Sequence, residues 1–72
     1  MKLVLQIGRS SKQPVSSLKE ASQRWAVHRD ACGIFASEMP RVVVINAETR
    51  QLVARISYNG RVWTPGGYEI AI

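Results

Sequence analysis

His28 and Cys32 stand four residues apart, the spacing at which two side chains share one face of a helix. Such a pair can chelate a metal or set a nucleophile beside a base. The chain holds one histidine and one cysteine. A closed zinc site takes four ligands, so a metal would need residues from another chain. A helix C-terminus also disfavours a thiolate, whose activation wants the opposite end. The pair therefore reads as a core cysteine with a flanking histidine, and no metal is expected. The five carboxylates, Glu20, Asp30, Glu38, Glu48 and Glu69, include no two within one motif, so no paired acid and base for hydrolysis emerges. No catalytic residue and no cofactor are expected, and the chain reads as a non-enzyme.

The cations are more informative. Ten Lys and Arg against five Asp and Glu give a net charge of +5 and a pI near 10.2. Six of the ten lie in residues 1–36, where only Glu20 and Asp30 oppose them. Arg9, Lys12 and Lys19 gather around an expected loop and helix start, where free backbone N–H groups also favour anions. Gly8 has no matching Gly-Lys-Ser, so this is not a P-loop. Arg29 falls on the apolar side of the expected helix, in its last turn. Its stem can cover apolar surface while its head meets the helix dipole and water, or it can contact an anion. Arg9, Lys12, Lys19 and Arg29 are thus the candidate contacts to a nucleic acid or other anion.

These residues need elements to position them. Leu3, Leu5 and Ile7 alternate with Lys2, Val4 and Gln6, a strand that Gly8 ends. Arg9 to Pro14 reads as a polar loop closed by proline. Ser17 followed by Glu20 is a capping-box signature, and the helix it opens runs to about Ala31 or Cys32, with Gly33 placed to stop it. At 100° per residue, Leu18, Ala21, Ser22, Trp25 and Cys32 form one stripe. Ile34 to Pro40 is a connection. Val42, Val43, Val44 and Ile45 form a β-branched strand, Ala47 to Arg50 a turn, and Gln51 to Tyr58 the next strand. Arg61 to Thr64 returns, Pro65-Gly66-Gly67 turns again, and Tyr68 to Ile72 alternates as a last strand. The order β-α-β-β-β(-β) predicts an α+β two-layer sandwich, one helix on a mainly antiparallel sheet. The place of the first strand in that sheet is left open.

Asn59-Gly60 predicts a two-residue type I′ hairpin turn, in which both residues need φ > 0. Ile56 then lies opposite Trp63, and Ile56, Tyr58, Arg61 and Trp63 share one face. Pairing Asn46 with Gln51 adds Val43, Ile45, Leu52 and Ala54 to that face, which is expected beneath the Leu18/Trp25 stripe. The opposite face receives Val42, Val44, Val53, Arg55 and Val62, an apolar patch with no helix over it. A patch of that kind on a small soluble protein calls for a cover, either a second copy of the chain or an unidentified protein.

Ala21-Ser22, Arg29-Asp30, Gly33, Ala36-Ser37 and above all Ile56-Ser57-Tyr58-Asn59-Gly60-Arg61-Val62-Trp63 resemble a group of short bacterial proteins, often hypothetical products associated with mobile elements. The resemblance spans most of residues 18–63, with Phe35 standing where glycine is usual. It implies a bacterial, cytoplasmic setting and assigns an activity to no residue.

Size completes the reading. Seventy-two residues and 8.0 kDa make one small domain over residues 1–72. A chain this short buries only about 60% of the surface its unfolded form exposes. One cysteine excludes an internal disulfide, which leaves dimerisation as the available supplement. No segment approaches the roughly 20 apolar residues that cross a bilayer, and Leu3 to Ile7 is too short for a signal-peptide core. Neither a membrane partner nor export is expected, and a lone cysteine suits the reducing cytoplasm. The leading expectation is a non-enzymatic interaction module, self-associating or protein-binding through the open sheet face. The alternative is a small basic nucleic-acid-binding accessory protein that uses the Arg9/Lys12/Lys19 region.

Overall fold

The computed structural model describes residues 2–9 and 11–72. The alternating segment forms β1 (Leu3–Ile7), and the helix is α1 (Leu18–Cys32). Between them Ser11–Val15 forms a strand, β2, where the sequence predicts a loop. Ser10, part of that expected loop, lies outside the described residues. A short 3-10 turn at Ala36–Glu38 precedes β3 (Val42–Asn46), β4 (Leu52–Ile56), β5 (Val62–Trp63) and β6 (Glu69–Ile70). The strands make one six-stranded antiparallel sheet in the order β2-β1-β3-β4-β5-β6, and α1 packs on one side of it against β2, β3 and β4. The α+β expectation holds, with β1 placed centrally between β2 and β3.

β2 escapes sequence reading because it is an edge strand of polar residues. Only Val15 is buried, while Lys12 and Pro14 are exposed. Proline has no N–H to give a ladder, and lysine blunts pairing with a further strand, so both suit an edge.

The helix begins and ends as its sequence predicts. Ser17 caps it, its Oγ accepting from the Glu20 N–H at 3.1 Å. Gly33 closes it in the left-handed region at φ 64°, and the Ile34 N–H donates to the Arg29 carbonyl. Ala21 and Trp25 are the buried residues of α1. Cys32, expected on the same stripe, is exposed at the last residue of α1.

Two one-residue shifts decide which side of the sheet faces this helix. Around Tyr58 to Gly60, Ser57 and Arg61 pair, the Gly60 N–H returns to the Ser57 carbonyl at 2.9 Å, and of these loop residues only Gly60 has positive φ, at 90°. This is a three-residue loop with a glycine bulge, not a type I′ turn. Ile56 therefore lies opposite Val62, and Arg55 opposite Trp63. At the other hairpin, Asn46 does pair with Gln51 and Ile45 with Leu52, but a bulge then sets Val44 opposite Ala54 and Val43 opposite Arg55.

The helix-side set is consequently Val42, Val44, Ala54, Ile56 and Val62, joined by Leu5, Ile7 and Val15 around Ala21 and Trp25. Trp25, Leu5, Val44 and Val62 are fully enclosed. The expected assignment of Val42, Val44 and Val62 to an uncovered patch is thus corrected. They are the core, because a slip of one residue moves every side chain to the other face. Trp25 Nε1 donates to the Tyr58 carbonyl at 3.2 Å, which satisfies the one polar group that this large side chain buries.

Candidate functional site

The helix-free face is built by the residues alternating with the core. From β2 to β6 the register sets Lys12 beside Gln6, Gln6 beside Val43, Val43 beside Arg55, Arg55 beside Trp63 and Trp63 beside Glu69. A second row sets Pro14 beside Val4 and Val4 beside Ile45. Val43 is 3% exposed yet stands outside the helix-side cluster, so its cover comes from neighbours on this open face.

Three depressions run into one another across the face. The first, about 380 Å³, lies among Arg41, Val43, Arg55 and Trp63, with Met39 and Pro40 at its rim. A narrow one of about 90 Å³ continues it through Gln6, Val43 and Ile45. The third, about 360 Å³, is lined by Val4, Gln6, Ile45, Lys12 and Arg50. Shared residues join them into one track with two arginines at one end and Lys12 and Arg50 at the other.

Charge on the two sides of the molecule is handled differently. Both ion pairs among the described residues lie on α1: Arg24 to Glu20 and Arg29 to Asp30, each at 3.1 Å. The Ser16 hydroxyl, which donates to the Glu20 carboxylate at 2.6 Å, holds that group below its ordinary value, and Arg24 lowers it further. On the open face, Lys12, Arg41, Arg50 and Arg55 enter no ion pair among the described residues, and Glu69 is the carboxylate that the register brings there. Arg50 holds a left-handed backbone at φ 61°, unusual for a residue with a Cβ. Its N–H donates to the Asn46 carbonyl at 2.6 Å.

Of the residues singled out in the sequence, Arg55 takes its expected place on the open face and is exposed. Val53 is half-buried at the bulge and packs against the core. Arg9, Lys12 and Lys19 are exposed, with Arg9 and Lys12 at one end of the β1–β2 hairpin and Lys19 apart from them. Arg9 follows β1, Lys12 lies on the open face, and Lys19 lies in the first turn of α1, beyond the end of β2 that is about 10 Å along that strand from Lys12.

Arg29 turns inward. Its Nη1 donates to the Tyr58 carbonyl at 2.6 Å and its guanidinium sits 5.3 Å from the Tyr58 ring centroid. Tyr58 in turn donates from its hydroxyl to the Ile34 carbonyl at 2.6 Å. Arg29 therefore ties the helix end to the β4–β5 loop. Cys32 Sγ and His28 Nε2 approach to 3.8 Å on the exposed side of the helix, and the described residues contain no group of three or more potential metal ligands.

Sequence reasoning missed Arg41, Arg50 and Trp63 as members of the face. The available signal was Arg55, whose charge marks the solvent side of β4. Carrying the observed registers outward from Arg55 reaches Val43 and then Trp63. Comparison of the chain with protein-family models, with curated proteins and with solved structures finds no match, so the site is read from its own geometry.

Proposed function

We propose that this is a small binding protein without catalytic activity whose helix-free sheet face holds a nucleic acid. The observation that carries the reading is the joined track across that face, with Lys12, Arg41, Arg50 and Arg55 outside any ion pair among the described residues, aliphatic side chains between them and Trp63 at the end beyond Arg55. Cations that keep their charge free are what a phosphate backbone needs, since each neutralised phosphate releases a counterion. Apolar surface between the cations and an aromatic ring beside Arg55 suit sugars and bases better than bare polyanions. The valines that would have supported a self-association surface lie in the core instead. The exposed free thiol of Cys32 suits a reducing cytoplasm, and a bacterial setting accords with the Ile56–Trp63 resemblance.

Two variants of equal charge change test the reading. Arg41→Gln with Arg55→Gln removes two cations from the open face, whereas Lys19→Gln with Arg24→Gln removes two from the helix. Binding to a labelled oligonucleotide at low salt is expected to fall at least tenfold for the first pair and to change little for the second. Equal losses, or no binding by the unaltered chain, would sink the proposal.

A further inference from the structure

We infer that the occupant of the open face is a single-stranded segment, laid across the strands with one base stacked on Trp63; this rests on the reading of that face as a nucleic-acid surface. The track crosses β5, β4, β3, β1 and β2. Four inter-strand steps make it about 19 Å long. It alternates in character along that length. Trp63 stands beside Arg55 at one end, Val43 and Ile45 fill the middle, and Lys12 and Arg50 close the other end.

A duplex presents phosphates and sugars to a flat surface and keeps its base faces stacked internally. It would meet the cations and leave Trp63 and the aliphatic middle facing nothing complementary. A single strand can offer phosphates to the cations and unstacked bases to the ring and the aliphatic surface. The length suits about four nucleotides, the lower end of site sizes for small sheet-based binders. Trp63 is half-buried, so its ring is held in place before a base arrives and little freedom is lost on stacking.

The two tryptophans make the test direct. Trp25 is fully enclosed at 0% exposure on the helix side, and Trp63 is on the open face. Titration with an eight-nucleotide deoxythymidine oligomer is expected to quench the tryptophan emission, and Trp63→Phe to abolish the quenching while weakening binding about fivefold. Trp63→Phe keeps a ring in the depression and preserves the fold, which the unchanged emission of Trp25 verifies. A duplex of the same length is expected to bind at least tenfold more weakly and to leave the emission unchanged. Tight duplex binding without quenching would overturn the single-strand inference and leave the sheet-face reading standing, whereas quenching that persists in Trp63→Phe would come from Trp25 on the helix side and overturn both. Binding to neither form at low salt would remove both.

Discussion

Gly60 carries the register on which the open face depends, and its replacement can be worked through. Its φ of 90° lies where a residue with a Cβ is strained, at a cost of about 1–2 kcal/mol. An added methyl would also stand 3.2 Å from Ser22 Oγ, whose hydroxyl donates to the Gly60 carbonyl at 2.6 Å. Disturbing that hydrogen bond adds about 0.5–1 kcal/mol. Gly60→Ala is therefore expected to cost about 1.5–3 kcal/mol, a large share of the roughly 4–10 kcal/mol that a domain of this size holds. The corresponding fall in Tm is about 6–24 °C. Asn59→Ala should behave differently, since Asn59 has no positive φ and loses only the exposed bonds its Oδ1 accepts from Ser57 and Arg61, about 0.5–1 kcal/mol. Urea denaturation followed by circular dichroism measures both. A type I′ turn would strain both positions, so equal costs for the two variants, or a neutral Gly60→Ala, would refute the three-residue loop and with it the placement of Trp63.

Other expectations follow from the same contacts. Arg29→Met should cost about 2 kcal/mol through the lost charged hydrogen bond and ring contact to Tyr58, while oligonucleotide affinity in the folded variant stays the same; a weakened affinity would restore Arg29 as an anion contact. Arg50→Gly relieves the left-handed strain and should stabilise the chain by about 0.5–1 kcal/mol while reducing affinity, so thermal melting and binding move in opposite directions. Val44→Lys places a charge at a fully enclosed position and should abolish folding, whereas Val53→Lys, half-buried at the bulge, should leave a folded, destabilised protein by circular dichroism.

Much of the fold was legible where local chemistry decides it. Ser17 and Gly33 mark the ends of the helix because capping depends on a hydroxyl and on freedom at positive φ. The alternation of Leu3, Leu5 and Ile7 identifies β1 and its buried side. The sides of β3 were not legible, since Val42 to Ile45 is apolar at every position and gives no alternation to read. Its orientation is set by a bulge beside Val44 and by the loop at Gly60, and a bulge needs no distinctive residue. The candidate site inherited that ambiguity. Arg55 falls on the open side by alternation with Ala54 and Ile56, which keep their side in either register, whereas Trp63 depends on the hairpin register and changes side when the loop has three residues. Lys12 reads from the sequence as a cation in a loop, and only the pairing of β2 with β1 brings it to the face with Arg50.

The salt dependence of oligonucleotide binding in two single-charge variants addresses the central proposal most directly. For a single strand, the logarithm of affinity falls against the logarithm of salt with a slope of about −0.7 for each neutralised phosphate, so the four cations that line the track, Lys12, Arg41, Arg50 and Arg55, predict a slope near −3. Lys12→Gln should shift it towards zero by about 0.7. Lys19→Gln removes the same charge from the helix and should leave the slope unchanged. A slope that responds to Lys19 and not to Lys12 would place the nucleic acid on the helix side and contradict the account.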